Sequence, residues 1–137
     1  VEIRIFEKLP VYAVDIRNEV FVKEQGFYDE FDSEDKGAIH LVGFVGDRSV
    51  ATSRIVYRIG IGYFITRIAV RKAYRGNGYG AMIVAAAEEI IKKLGGNEVL
   101  IHSQEQAAGF YERIGYSRTG ETDSEQGCPH CMMKKAL

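Results

Sequence analysis

The chain has 137 residues, a formal net charge of −1, 46% hydrophobic residues and 27% charged residues. That length and balance predict one globular domain, spanning 1–137, with a sizeable core. They exclude bulk electrostatic attraction to nucleic acid or an anionic membrane, no apolar run reaches the ~18–20 residues of a spanning helix, and two cysteines are too few for a disulfide framework.

Residues 2–6 alternate polar and apolar and predict a strand. Pro10 suits the first turn of a helix, and Leu9, Ala13, Ile16 and Val20 give it one buried face to about residue 24. Gly26 ends it, and the loop that follows carries Asp29, Glu30, Asp32, Glu34 and Asp35. Such a run is either solvated surface or a lip that attracts a cationic ligand. Residues 39–45, 49–59 and 63–70 predict an antiparallel meander. His40, at a strand start, is expected to be structural. Arg54 falls mid-strand, where a charge needs a partner or a wet face.

A basic connector with Arg71, Lys72 and Arg75 leads into Gly76, Gly78 and Gly80, and then an amphipathic helix over 78–94. Its expected buried face is Met82, Ala86 and Ile90, joined by Ile83, Ala87 and Leu94. Val99-Leu100-Ile101 predicts a strand covered on both faces, which completes a right-handed βαβ unit with strand 63–70. A short helix around Ala107–Ile114 and strands over 116–121 and 130–135 close the chain.

Glycines let backbone N–H groups approach a ligand, and a helix start adds unpaired donors and partial positive charge, so residues 75–80 read as a phosphate cradle. No Walker A run exists. Gly76, Gly78 and Ala81 formally fit the dinucleotide fingerprint, but five residues separate Gly76 from the strand and no second mononucleotide half follows. Arg75-Gly76-Asn77-Gly78-Tyr79-Gly80 fits the Q/R-x-x-G-x-G/A loop that holds the pyrophosphate of coenzyme A.

With that loop the sequence resembles the GNAT superfamily of N-acetyltransferases, and within it the ElaA/YjcF-like branch. The resemblance covers nearly the whole chain. Val20-Phe21-Val22-Lys23-Glu24-Gln25 with Tyr28 and the acids matches the branch near its N-terminus. Phe110-Tyr111-Glu112-Arg113-Ile114-Gly115-Tyr116 matches the family's F-Y-x-x-x-G-F/Y pattern, and Gly127-Cys128-Pro129-His130-Cys131-Met132 the branch's G-x-P-H-x-x-M ending.

The resemblance implies an α/β fold: a mixed, mostly antiparallel sheet splayed at a central parallel pair, with helices on both faces. It implies direct acetyl transfer from acetyl-CoA to a primary amine of a small molecule or peptide. Asn77 to Gly80 and Arg75 would take the pyrophosphate, with Arg71 and Lys72 in support. Ile68, Ala69 and Val70 would meet pantetheine, a backbone N–H of Ile68 or Ala69 polarising the carbonyl. Tyr111 is the expected general acid, with Tyr116 its rival. His130 is the expected base or acceptor contact, because an imidazole titrates near pH 6.5. Glu24 and His102 are weaker candidates. Glu24 and Arg54 are further expected acceptor contacts, and Gln104 a contact to pantetheine or acceptor. No metal is expected. Dimers are frequent in the superfamily, and the cytoplasm is the default compartment in the absence of a signal-peptide pattern. The competing reading is a module that holds acyl-CoA with little turnover.

Cys128-Pro129-His130-Cys131 also forms C-x-x-C, the active-site pattern of some thiol oxidants. A thioredoxin-like site needs its first cysteine at a helix N-terminus, and here a strand is expected. Zinc binding would need a second ligand pair, which the sequence does not offer at matching spacing.

Overall fold

The computed structural model describes residues 1–28 and 31–137. Its strands are β1 (Glu2–Phe6), β2 (Ile39–Val45), β3 (Arg48–Arg58), β4 (Gly62–Val70), β5 (Glu98–Gln104), β6 (Ser117–Glu125) and β7 (Cys128–Ala136). They form one sheet in the order β1-β2-β3-β4-β5-β7-β6. Every neighbouring pair is antiparallel except β4 and β5. The helices are α1 (Val11–Arg17), α2 (Tyr79–Lys93) and α3 (Ala108–Arg113).

Alternation along the strands divides the apolar side chains between two layers. On β2, Leu41 joins the core that includes Ile65, Ile83, Ile101 and Met133, while Val42 joins Ala13, Ile16 and Phe44 under α1. The first helix does reach Glu24, but from Asn18 onward it widens into a π-helical turn, where the Gln25 N–H donates to the Val20 carbonyl at 3.1 Å. Such turns often re-aim side chains at functional sites.

The buried face of α2 differs from the expected one. Ile83, Val84, Ala87 and Ile91 are buried, while Met82 and Leu94 are exposed. The sheet covers the stripe one position on from the one the periodicity selected. Glu88 lies on that stripe too. It accepts from the Tyr116 hydroxyl at 2.6 Å and from Lys135 Nζ at 3.1 Å. This pairing makes Tyr116 a structural residue, removing the rival general acid. Gly95, at φ 92, closes the helix: the Gly96 N–H reaches the Ile91 carbonyl at 2.9 Å and the Gly95 N–H reaches that of Lys92 at 3.0 Å.

The acidic run is mostly structural. Asp29 and Glu30 lie outside the described residues. Asp35 accepts from Arg17 Nη1 at 2.8 Å and Arg54 Nη1 at 2.9 Å, and Asp32 accepts from Arg54 Nη1 at 2.7 Å and Arg67 Nη2 at 3.1 Å. Glu34 binds Arg58 through two hydrogen bonds, of 2.8 and 3.0 Å. Arg54, 1% exposed, is therefore a strut of the fold, and its expected role as an acceptor contact is corrected: burial left it no option but an internal partner. His40 is buried, with Nε2 at 2.9 Å from the Asp35 carbonyl, as a structural histidine should be.

Burial alone would raise the Asp35 carboxyl, but hydrogen bonds and charge from Arg17 and Arg54 outweigh it and hold it at about 2, against 3.8 for an ordinary aspartate. A depressed carboxylate stabilises above its unfolded pKa. This contribution, roughly 2 kcal/mol, is lost as pH falls from about 4 to about 2. Removing the carboxylate leaves two buried guanidinium groups without it. Asp35→Ala should cost about 3–5 kcal/mol in urea unfolding at pH 7, and the gap between mutant and wild type should shrink towards pH 2.

Candidate active site

The parallel strands β4 and β5 stay together at one register pair only, Phe64 with Leu100. Beyond it they part. The register of β4 against β3 shifts between Thr52 and Arg54, which leaves Arg67 and Ile68 opposite the single residue Ser53. Arg67 takes a left-handed φ of 50° to make this bulge. Between the parted strands lies a cleft of about 300 Å³.

Ile65 to Ile68 form one wall of the cleft, and Ile101 to Gln104 the other. Phe21 within the π-helical turn and Phe27 beyond it add aromatic surface. Tyr111 of α3 and His130 of β7 enter from the far side. The cleft thus brings together Ile68, Gln104, Tyr111 and His130 from the expected set. Ala69 and Val70 are not on its surface. Ala69 is buried in the layer under α1, because alternation turns it to the other face.

Beyond Val70, Gly76 and Gly78 adopt φ of 82° and 80°, and α2 starts directly after Gly78. At either position a Cβ would meet nothing within 4 Å, so the glycines serve backbone conformation and leave open space in front of the helix start. Asn77 Nδ2 donates to the Tyr74 carbonyl at 3.0 Å, pinning the loop. A Cβ on Gly80 would stand 3.2 Å from Phe110 Cζ, so the cradle abuts the helix that carries Tyr111. Open glycines, helix-start donors and a parted strand edge fit a ligand with a pyrophosphate head and a long flexible arm.

The arginines of this region have other tasks than expected. Arg75 binds Glu24 through two hydrogen bonds of 2.7 Å and donates through Nε to the Val70 carbonyl at 3.0 Å. Glu24 is thereby tied to the cradle, outside the cleft, and its expected role as acceptor contact is corrected. Arg71 bonds Ser49 and Glu19, fastening the connector to β3 and the first helix. Gln104 Nε2 donates to Gln25 Oε1 at 2.7 Å across the cleft.

Tyr111 is 7% exposed, and burial pushes its hydroxyl well above the usual tyrosine range. It is therefore protonated at any physiological pH and keeps a proton to donate. His130 Nδ1 lies 2.8 Å from the Cys128 carbonyl. A carbonyl only accepts, so Nδ1 carries a proton, and in the neutral imidazole Nε2 keeps its lone pair. His102 stacks on His130 with centroids 4.6 Å apart, and its Nε2 donates to Asp123 Oδ1 at 2.7 Å.

Glu125, which also lines the cleft, escaped the sequence reading because β6 was expected to stop at residue 121. It continues to Glu125 and turns through Gln126 and Gly127, at φ 48° and 77°. Two positive φ values make the tight hairpin turn that Asn-Gly usually announces. The glycine was a visible signal; glutamine at the preceding position hid it.

A sheet parted at its one parallel pair, with a glycine cradle at the strand end, is the architecture of an acyl-transfer enzyme. The family model for the acetyltransferase (GNAT) domain matches residues 13–137, and the chain belongs to that family. It is 33% identical over 123 residues to the uncharacterized N-acetyltransferase YjcF of Bacillus subtilis (strain 168), covering 88% of this chain and 87% of that one. Escherichia coli ElaA superposes with a TM-score of 0.85 at 26% identity over 98% of each chain, consistent with the ElaA/YjcF-like branch. An aminoglycoside 6′-N-acetyltransferase solved with coenzyme A shares the fold, with a TM-score of 0.77 at 16% identity over 99% of this chain and 97% of that one. Among the described residues no helix is long and apolar enough to cross a membrane.

The two cysteines do not make a dithiol site. They lie three positions apart on β7, so their side chains take opposite faces, and no helix follows Cys128. Cys131 is buried, and that burial pushes its thiol up. In the native protein a thiol-labelling reagent should modify Cys128 alone, with Cys131 reacting only after denaturation. Intact-mass spectrometry counts the adducts, and two fast-reacting native thiols would contradict the arrangement.

Proposed function

We propose that the chain transfers an acetyl group from acetyl-CoA to a primary amine of a small molecule or peptide, directly and without an acyl-enzyme. The observation that carries this reading is the cleft itself. It holds a bulged strand edge at Ile68, a protonated hydroxyl at Tyr111, and an imidazole acceptor at His130.

Acetyl-CoA supplies an activated thioester. Backbone donors of the cradle, residues 76–80, take the pyrophosphate, with Arg75 and Glu24 fixing the loop rather than neutralising the phosphates alone. The bulge at Arg67 and Ile68 opens the strand edge to the pantetheine arm, and in this reading the Ile68 N–H donates to the thioester carbonyl. A donor aimed at charge that grows in the transition state contributes ~3–4 kcal/mol. His130 Nε2 removes one proton from the ammonium of the acceptor. The C–N bond forms as the C–S bond breaks. The second nitrogen proton leaves with the amine's attack, and Tyr111 delivers a proton to the departing sulfur. The balance is an acetamide, free CoA and one proton released.

Tyr111→Phe keeps the packing and removes the acid, and His130→Gln removes the base. Each should lower kcat by about 10²–10⁴-fold in an assay of CoA release against a diverse panel of amines, with acetyl-CoA binding by calorimetry little changed. Undiminished turnover in both variants would sink these two assignments. A wild-type protein that binds acetyl-CoA yet releases CoA with no amine would be a holding module instead.

A further inference from the structure

His102, Asp123, Glu125 and His130 share one face of the three-stranded part of the sheet formed by β5, β7 and β6. Asp123 stands opposite His130 in register, and Glu125 is two residues further along the same strand. His102 and His130 sit diagonally across the β5–β7 pairing. Each imidazole has one nitrogen committed. His102 donates through Nε2 to Asp123 at 2.7 Å, and His130 donates through Nδ1 to the Cys128 carbonyl at 2.8 Å. A neutral imidazole has one donor and one acceptor, so His102 Nδ1 and His130 Nε2 are left as lone pairs. These atoms lie 3.7 Å and 4.0 Å from the two Glu125 oxygens. Three acceptors therefore meet within 4.8 Å of one another. Among the described residues no hydrogen-bond donor reaches the Glu125 carboxylate or either free nitrogen. Arg58, a cation that acts on Glu125, is already bound to Glu34.

Such a cluster calls for a cation that donates. Two kinds compete, a divalent metal and an ammonium, and the spacing separates them. Zinc at about 2.1 Å from tetrahedral ligands sets those ligands about 3.4 Å apart. An ammonium at about 2.8 Å from its acceptors sets them about 4.6 Å apart. The separations from Glu125, 3.7 and 4.0 Å, already exceed the zinc value, and none of the three exceeds the ammonium value by more than a few tenths. Stacked rings, with planes 27° apart, also aim in-plane lone pairs side by side. Hydrogen bonds tolerate that geometry, whereas a small metal ion needs its ligands to converge.

We infer that Glu125, His102 and His130 form the receptor for the protonated primary amine of the acceptor, a site that rests on the transferase reading above and specifies its substrate class. Glu125 supplies the counter-charge. The two imidazoles accept the remaining N–H groups, and His102, backed by the exposed Asp123, gives a released proton a way to solvent. Three acceptors select a primary ammonium, with three N–H groups, over a tertiary one with a single N–H. Phe21 and Phe27 on the same cleft favour an apolar or aromatic body behind the amine.

The test uses 2-phenylethylamine, its N,N-dimethyl derivative and zinc chloride as probes on the whole chain. Imidazole NMR signals of His102 and His130 are followed without any acetyl-CoA. Addition of 2-phenylethylamine should shift both signals, the dimethyl compound should bind at least about tenfold more weakly, and Glu125→Gln should weaken the primary amine by about tenfold or more. Glu125→Gln should also raise the KM of any amine turned over by wild type, with the KM for acetyl-CoA within about twofold. Equal shifts from both amines, or an unchanged amine KM in Glu125→Gln, overturn the receptor while leaving the transferase reading intact. Stoichiometric zinc uptake at micromolar concentration that is lost in Glu125→Gln overturns it in favour of a metal. Failure of the transferase reading shows separately, as amine binding with no CoA release by wild type. Asp123→Asn, which keeps a partner for His102, should leave amine binding within about threefold and lower kcat, an effect that a purely structural role for Asp123 would not produce.

Discussion

The site exists because two parallel strands fail to stay parallel. β4 and β5 share a single register pair at Phe64 and Leu100 and then part around the bulge at Arg67 and Ile68. A non-glycine residue in the left-handed region costs on the order of 1–3 kcal/mol and persists only where its surroundings over-determine it. Those surroundings are visible. Arg67 is held by Asp32, which is held by Arg54, which shares Asp35 with the buried Arg17. A chain of carboxylates and guanidinium groups thus runs from the first helix to the bulge, and the width of the cleft depends on it.

This assigns separate tasks to the protein's acids. Asp32, Glu34 and Asp35 are neutralised internally and brace the strands. Glu24 braces the cradle through Arg75. Glu125 is different: it is carried into the cleft by the β6–β7 hairpin, and it faces two imidazoles and no committed cation. Asp32, Glu34 and Asp35, acids of a loop that looks like a charged lip in sequence, are therefore spent on internal partners, while Glu125 faces the cleft from a strand. Bare counts of Asp and Glu could not reveal this, because pairing decides whether a charge is felt in the cleft.

Most of the frame was legible in the chain. Alternation located β1, turns and apolar runs located β2 to β5, the apolar stripe and the Gly95–Gly96 pair bounded α2, and the Arg75–Gly80 loop announced a cradle rather than a dinucleotide site. The misses share a cause. Met82 and Leu94 in place of Val84 and Ile91 on α2 reflect a sheet whose position relative to the helix no periodicity encodes. The short estimate for β6 reflects an edge strand exposed along its whole length, which has no apolar alternation to mark its end.

What the sequence determined by itself was local: where backbone can bend, which residues alternate, and where donors gather at a helix start. These depend on near neighbours, and the family resemblance rests on them. Only the tertiary structure decided which charges cancel and which remain. Arg54 and Glu24 were candidates for the acceptor until their partners, 22 and 51 residues away, came into reach. Glu125 became one when a turn at Gln126 and Gly127 laid it beside His102 and His130. An ionisable side chain acquires its role from whatever lies within a few ångströms, and folding sets that distance between residues remote in sequence.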